Sequence, residues 1–260
     1  MIDLVHLADD RSVVLRRVPV LDHVPGHRPA DEISNEARAL RLLVDFAWAP
    51  TLLATDPDGL RCGVAASIQT VIPGRVEVIA SADWIDVMAA AIRAIAEVDI
   101  HPEGLPAFDP WIDPGQLPPD WTSNPRSWRR AADAVLGWTP HGDQLIHRDL
   151  HPGNVLVDGD HLGGIVDWVH ARRGPIDADV SRCRVETALL AGPAAADELL
   201  ERCADLVPDY DHRWDLLVAL ELAPWSESLM GFNVHGAKLD PPTIHDRLDA
   251  VVTAAFSVMS

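Results

Sequence analysis

The stretch Leu145-Ile146-His147-Arg148-Asp149-Leu150-His151-Pro152-Gly153-Asn154-Val155-Leu156-Val157, followed by Gly164-Ile165-Val166-Asp167-Trp168, holds the densest chemistry in the chain. Residues 144–147 read as a strand and Pro152-Gly153 as a turn, which puts Asp149 at an exposed, rigid place suited to a general base. Asn154 offers a neutral amide oxygen. Asp167 ends the β-like run 162–168, so its carboxylate projects into a cleft. An amide oxygen beside a carboxylate is a hard donor set that suits Mg2+ held jointly with phosphate oxygens. A base near two such oxygens is what transfer of a phosphoryl group to a hydroxyl needs, because that reaction asks for positioning and charge neutralisation more than for covalent chemistry.

Working outward, residues 154–157 and 162–168 are two β segments joined by Asp158-Gly159-Asp160. From about Ala178 the chain reads as helices broken by Gly192-Pro193, Val207-Pro208 and Pro241-Pro242. Upstream, Ser81 caps a helix with the apolar stripe Ile85, Met88, Ala89, Ile92 and Ala96. Residues 102–125 form a long ordered loop, and a helix runs from about Ser127 to Leu136. Near the start, Leu4-Val5-His6-Leu7 and Val13-Val14-Leu15-Arg16-Arg17-Val18 flank a turn and make a hairpin. A loop spans residues 19–29. A helix then begins near Asp31, carries Ala37, Leu40, Val44 and Ala47 on one face, and stops at Pro50. Residues 60–72 are strand split by Gly63, closed by Pro73-Gly74.

The catalytic stretch resembles the aminoglycoside phosphotransferase family, small-molecule kinases with a protein-kinase-like fold, whose loop reads H-G-D-x-H-P-x-N and whose metal aspartate lies in an I-D-W strand end. His147, Asp149, His151, Pro152, Asn154, Ile165, Asp167 and Trp168 carry that resemblance. Protein kinases place a Lys two residues after the Asp, where this chain has His151, and Asp167-Trp168 stands where they have D-F-G. The resemblance implies an α+β, bilobal fold: a small, N-terminally incomplete β-containing lobe over residues 1–74 with a hinge at its end, and a larger, mainly helical catalytic lobe over 75–260. It implies that Asp149 accepts or orients the proton of the acceptor hydroxyl, that Asn154 and Asp167 bind Mg2+, and that His147 braces the loop. Asp179, with Asp177 as its neighbouring alternative, matches the family's later structural Asp. ATP is the implied donor, with GTP open.

The small-lobe pattern departs from the family. Lys238 is the only lysine among 21 basic residues, so Arg16 takes the phosphate-pairing place. It shares a strand face with Val14 and Val18, which selects it over Arg17. Glu36, in Asn35-Glu36-Ala37-Arg38, is its expected partner, and residues 67–72 are the expected adenine-receiving hinge. No glycine precedes Gly26, so the strand–Gly-loop–strand cover over the phosphates is expected to be missing.

Composition bounds the partners. Residues 1–74 hold 10 acids and 7 arginines, net −3; residues 75–260 hold the other 30 acids and 14 bases, net −16. Such acidity argues against nucleic acid and for a cationic acceptor. An aminoglycoside or related amino sugar fits, which would link the chain to antibiotic resistance. The run Asp197, Glu198, Glu201, Asp205, Asp209, Asp211 and Asp215 is either a solvated helix face or the lining of a polycation site. Three scattered cysteines, Cys62, Cys183 and Cys203, indicate neither a disulfide framework nor a thiolate zinc site. With no signal-like start and no apolar span, a cytoplasmic chain without a membrane partner is expected. Two other readings stay open: a catalytically impaired nucleotide- or ligand-binding module of the same fold, and a metal-dependent hydrolase using His147, Asp149 and His151 as ligands.

Overall fold

Two runs of branched residues, β1 (Ile2–His6) and β2 (Ser12–Val18), pair antiparallel with Asp3 opposite Leu15 and Val5 opposite Val13, forming the expected hairpin. The structure, a computed structural model, describes residues 1–20, 28–78, 81–99 and 101–259. Most of the loop expected over 19–29 lies outside the described residues. β2 continues antiparallel onto β4 (Ala65–Thr70), and β4 onto β3 (Leu52–Asp56), giving a four-stranded sheet in the order β1-β2-β4-β3. Register places Arg16 opposite Ser67 and Val14 opposite Gln69. The period of two then brings Val14, Arg16 and Val18 to one face. Helix α1 (Pro29–Leu42) covers that face: Val18, Ile33 and Ala65 form one small apolar cluster, and Glu36 accepts a hydrogen bond from Ser67 Oγ at 3.3 Å.

The sequence reading needs two corrections here. Helix α1 ends at Leu42, short of Val44 and Ala47, and both of those residues are exposed. The chain leaves the helix so that Phe46 can meet the Trp168 ring edge-on at 6.1 Å between centroids. The expected strand over 60–72 begins only at Ala65, because the Asp56 carboxylate gathers the N–H groups of Leu60, Arg61 and Cys62 into a loop. β3 itself was not legible. Leu-Leu-Ala-Thr-Asp lacks an alternating pattern, and its strand geometry comes from pairing with β4.

The chain crosses out of the sheet through residues 71–74, and Arg75 then exchanges two 2.9 Å backbone hydrogen bonds with Val157. Gly74 has φ +103, and a Cβ there would come within 2.8 Å of the Val157 carbonyl oxygen, so this crossing requires glycine. Helix α2 (Ala82–Ala96) starts on Ser81, whose side chain accepts from Trp84 N as expected. Its buried stripe of Ile85, Met88 and Ile92 belongs to the same core as Leu145, Leu150, Val155, Ile165 and Trp168. Each such side chain contributes about 1.5–3 kcal/mol by leaving water, so the two reactive segments are clamped on one apolar floor.

Those segments form two short ribbons. β5 (Gln144–Ile146) pairs with β8 (Arg172–Gly174), and β6 (Val155–Asp158) pairs with β7 (His161–Ile165). A second core gathers α3 (Pro125–Val135), α4 (Asp177–Ala191), α6 (Arg213–Leu222) and α7 (Pro241–Val258) through Trp128, Leu189, Leu217 and Leu248. Gly192 at φ +99 and Pro193 separate α4 from α5 (Pro193–Arg202). A 3-10 run, Ala223–His235, links α6 to α7. The whole is a small β-sheet region joined to a larger helical portion, as the sequence suggested. Among the described residues no helix is long and apolar enough to cross a membrane.

Candidate active site

The loop after β5 is held from below by one carboxylate. The backbone N–H groups of His147 and Arg148 donate to Asp179 Oδ2 and Oδ1, each at 2.7 Å, and Asp179 is fully buried in the first turn of α4. Burial pushes its carboxyl up to about 7, against the pull of those two N–H groups. Of the two neighbouring candidates, Asp179 is thus the one under the loop; Asp177 lies on the same turn, half-buried.

His147 is likewise fully buried. Its Nε2 sits 2.9 Å from the Val166 carbonyl, and its ring lies 4.6 Å from that of Trp168. Burial lowers its pKa to about 4, so the ring is neutral. Val166 N in turn donates to Asn154 O at 2.9 Å. Val166 therefore ties the loop of Asp149 to the strand end of Asp167. This position of His147 keeps it out of a shared ligand set with Asp149 and His151, which counts against the hydrolase reading that used all three.

Asn154 donates from Nδ2 to the Asp149 carbonyl at 2.9 Å, which turns its Oδ1 outward as a free acceptor. Asp167 adopts a left-handed conformation, φ +67, that lifts its carboxylate off the end of β7. The following turn is fixed by Asn35 Nδ2, which donates to the carbonyls of Val169 at 2.7 Å and Ala171 at 3.1 Å. Asp167 Oδ1 lies 2.9 Å from Arg16 Nη1 and has no other partner among the described residues. A carboxylate paired with a guanidinium, and an amide oxygen on the residue whose backbone is bonded to Val166, are donor types that fit Mg2+.

Arg16 reaches this place from β2. Its Nη1 lies 3.8 Å from Glu36 Oε1, a looser approach than to Asp167. Burial would lower its pKa, but the two carboxylates outweigh that and raise it. Glu36 is pushed up by burial, partly offset by Arg16. Of the two residues expected to serve the nucleotide, Arg16 thus meets the metal candidate directly, and Glu36 stands behind it. Ser67 and Gln69 are part of β4, and their side chains support Glu36.

The Asp149 carboxylate opens between the loop and α4. Burial would raise its pKa, but the Arg182 guanidinium at 2.8 Å, helped by His151, holds it well below the usual carboxylate range. Arg182 also pairs with Glu186 at 3.0 Å. Next to Asp149, Arg148 has φ +73 and sends a buried guanidinium into a fork with Glu221, Nη2 to Oε1 at 2.6 Å and Nη1 to Oε2 at 3.1 Å. Trp111 and Phe108 face the same guanidinium, 3.8 Å and 4.6 Å from its carbon to the ring centroids.

Arg182, Glu186 and Glu221 escaped the sequence reading. The available signal was an acid or base inside an otherwise apolar helical run, as in Val-Ala-Leu-Glu221-Leu-Ala. The acidic run resolves towards the structural alternative. Asp197 and Asp215 pair with Arg184, Glu198 with Arg202, Asp205 with Arg93 and Asp211 with Arg213.

A profile of the family described as "Phosphotransferase enzyme family" matches residues 4–216. Among solved structures, a thermostable mutant of the aminoglycoside phosphotransferase APH(4)-Ia in apo form superposes with a TM-score of 0.63 at 19% identity, covering 97% of this chain and 94% of that one. Ternary complexes of the same protein hold AMP-PNP and hygromycin B. Choline kinase LicA from Streptococcus pneumoniae gives a TM-score of 0.62 at 15% identity, covering 98% and 89%. Macrolide 2'-phosphotransferase MphH from Brachybacterium faecium gives 0.58 at 15%, covering 96% and 88%. At these identities the superpositions establish the fold. No curated protein matches the chain by sequence.

Proposed function

This chain belongs to the phosphotransferase enzyme family, and from that premise we propose that it moves the γ-phosphoryl group of ATP to a hydroxyl of a small cationic molecule, an aminoglycoside or related amino sugar. The observation that carries the reading is the linkage of three elements: the Asp149 loop braced by His147 on Val166, Asn154 bonded to the Asp149 carbonyl and through its own carbonyl to Val166 beside Asp167, and Arg16 arriving from the sheet onto Asp167. In this reading residues 1–74 are the nucleotide lobe and 75–260 the catalytic lobe. Hygromycin B in the complexes of APH(4)-Ia and the net −16 of residues 75–260 support a cationic acceptor.

Asn154 Oδ1 and Asp167 would hold Mg2+, which supplies charge neutralisation on the phosphate oxygens. Asp149, kept ionised, orients the acceptor hydroxyl for in-line approach and takes its proton as the bond to phosphorus forms. A carboxylate of such low basicity suits a loose transition state, in which the proton leaves late. Arg16 swings from Asp167 to the α and β phosphates, where its fork replaces a lysine's point charge. His147 and Asp179 hold the loop still.

The competing reading, a binding module without turnover, draws on the short glycine-free turn between β1 and β2, closed by an Arg11–Asp9 pair. One experiment separates them. At a hundredfold excess over Kd, ATP with Mg2+ stabilises the native chain by about 2.7 kcal/mol. The wild type is expected to melt higher with MgATP and to release ADP when a panel of aminoglycosides and other hydroxyl acceptors is added. Asp149→Ala is expected to keep the thermal shift and lose acceptor-dependent ADP. A wild-type shift with no product for any acceptor favours a nucleotide-binding module; no shift at all overturns phosphotransfer by this chain and leaves a module for another ligand.

A further inference from the structure

Three potential ligands converge beside the proposed base. Asp149, His151 and Glu186 offer atoms that all lie within 4.8 Å of one another. Two carboxylates and an imidazole at that separation form a donor set for zinc or manganese. In this chain the space between the two carboxylates holds a guanidinium: Arg182 Nη2 is 2.8 Å from Asp149 Oδ1 and 3.0 Å from Glu186 Oε1. His151 stands on the other side, its Nε2 3.8 Å from Asp149 Oδ2 and its Nδ1 3.5 Å from Glu186 Oε2. Arg182 and Glu186 are one helical turn apart on α4, and their side chains are 10% and 2% exposed. Two carboxylates this close repel unless a cation sits between them. One guanidinium nitrogen, Nη2, meets both, and the delocalised charge of arginine stays on at any working pH.

Resting on the phosphotransfer reading, we propose that Arg182 is a positioning residue acting through Asp149: anchored by Glu186, it fills the cation position of the Asp149–His151–Glu186 cluster, pins Oδ1 of Asp149 so that Oδ2 alone meets the acceptor hydroxyl, and keeps divalent metal off the base. The site has the donors for a metal and holds the metal's charge on a side chain. A base that captured a metal would lose the lone pairs that orient the hydroxyl. A base without Arg182 would rotate, and a displacement of about 1 Å in a reacting group costs about 100-fold in rate.

The test uses the full chain and Zn2+ as the probe, read by competition with a chromophoric chelator in the absence of nucleotide. The wild type is expected to show no tight Zn2+ site here. Arg182→Met opens the cluster and gains one site, at least about tenfold tighter than any in the wild type. Arg182→Met/Glu186→Gln removes a ligand and loses that site again; it leaves Asp149 alone without a guanidinium, with His151 still 3.8 Å away, where the single variant strands two carboxylates, so it is the milder change for folding. In turnover, both variants are expected to lose about 100-fold in kcat with KM for ATP unchanged. Arg182→Lys restores part of kcat and the exclusion of Zn2+. An Arg182→Met chain with wild-type melting temperature that gains no Zn2+ site, or a double variant with wild-type kcat, overturns the proposal. A wild type without turnover overturns the phosphotransfer reading instead, and the Zn2+ titration still decides whether Arg182 holds the cation position.

Discussion

Glu221→Ala should be the most damaging single change outside the reacting groups. Glu221 and Arg148 side chains are each 1% exposed and joined by two hydrogen bonds, and Glu221 Oε1 also accepts from Trp111 N at 2.8 Å. Removing one partner of such a buried pair strands the other charge and costs about 3–5 kcal/mol. Arg148 would keep the Asp109 carbonyl at 2.8 Å and the faces of Trp111 and Phe108, so the lower end, about 3 kcal/mol, is expected. For a chain of this size each kcal/mol lowers the melting temperature by about 2–4 °C, so a drop of about 6–12 °C follows. The assay is a calorimetric melt at neutral pH, with Arg148→Met/Glu221→Leu beside it. That double variant replaces the pair by apolar groups of similar size, and it is expected to melt well above Glu221→Ala. A single variant within about 1 kcal/mol of wild type, or a double variant below the single one, would refute the reasoning.

Three further outcomes follow from the same geometry. His147 titrates near 4 when folded against 6.5 when free, so the unfolded chain binds the proton more tightly; its contribution is complete above 6.5 and is lost, by about 3 kcal/mol, as pH falls from there towards 4. Asp179, raised from 3.8 to about 7, acts in the opposite sense across nearly the same interval, so the effect must be read as the difference between wild type and His147→Gln in pH-dependent melts; parallel curves would sink it. Arg16→Met frees the Asp167 carboxylate and removes a phosphate contact, so its ATP-dependent thermal shift should shrink while Arg16→Lys retains part of it; an undiminished shift in the Met variant would place the phosphates elsewhere. Gly164→Ala drives a Cβ into Ile72 Cγ2 and to 3.1 Å from the Trp48 carbonyl, where the crossing packs on β7, and should cost about 1–3 kcal/mol in a urea melt.

How much was legible depended on the range of the forces involved. The β1–β2 hairpin, the Ser81 cap and the breaks at Gly192-Pro193 and Pro241-Pro242 are local devices, and each appears where the residues put it. The end of α1 and the strand β3 were set by distant partners, Trp168 and β4, and no local pattern announced them. At the site, turn chemistry and strand ends brought out Asp149, Asn154 and Asp167 as candidates, and the family resemblance added His147 and Asp179. The strand period picked Arg16 over Arg17, and the structure indeed turns Arg16 to Asp167 while Arg17 pairs with Asp3.

The sequence by itself pointed to the class of chemistry and to the residues proposed to carry it. A carboxylate between a strand and a Pro-Gly turn, with Asn and Asp following at fixed spacing, makes sense for little else, and a chain with one lysine had to use arginine. Only the tertiary structure decided which charges meet. That Arg182 and Glu186 lie against Asp149, that Glu221 locks Arg148, and that most of the acidic run is neutralised by arginines are facts of helix packing between residues far apart in the chain. Electrostatic energy depends on distance through space and on burial, and neither is written in sequence separation.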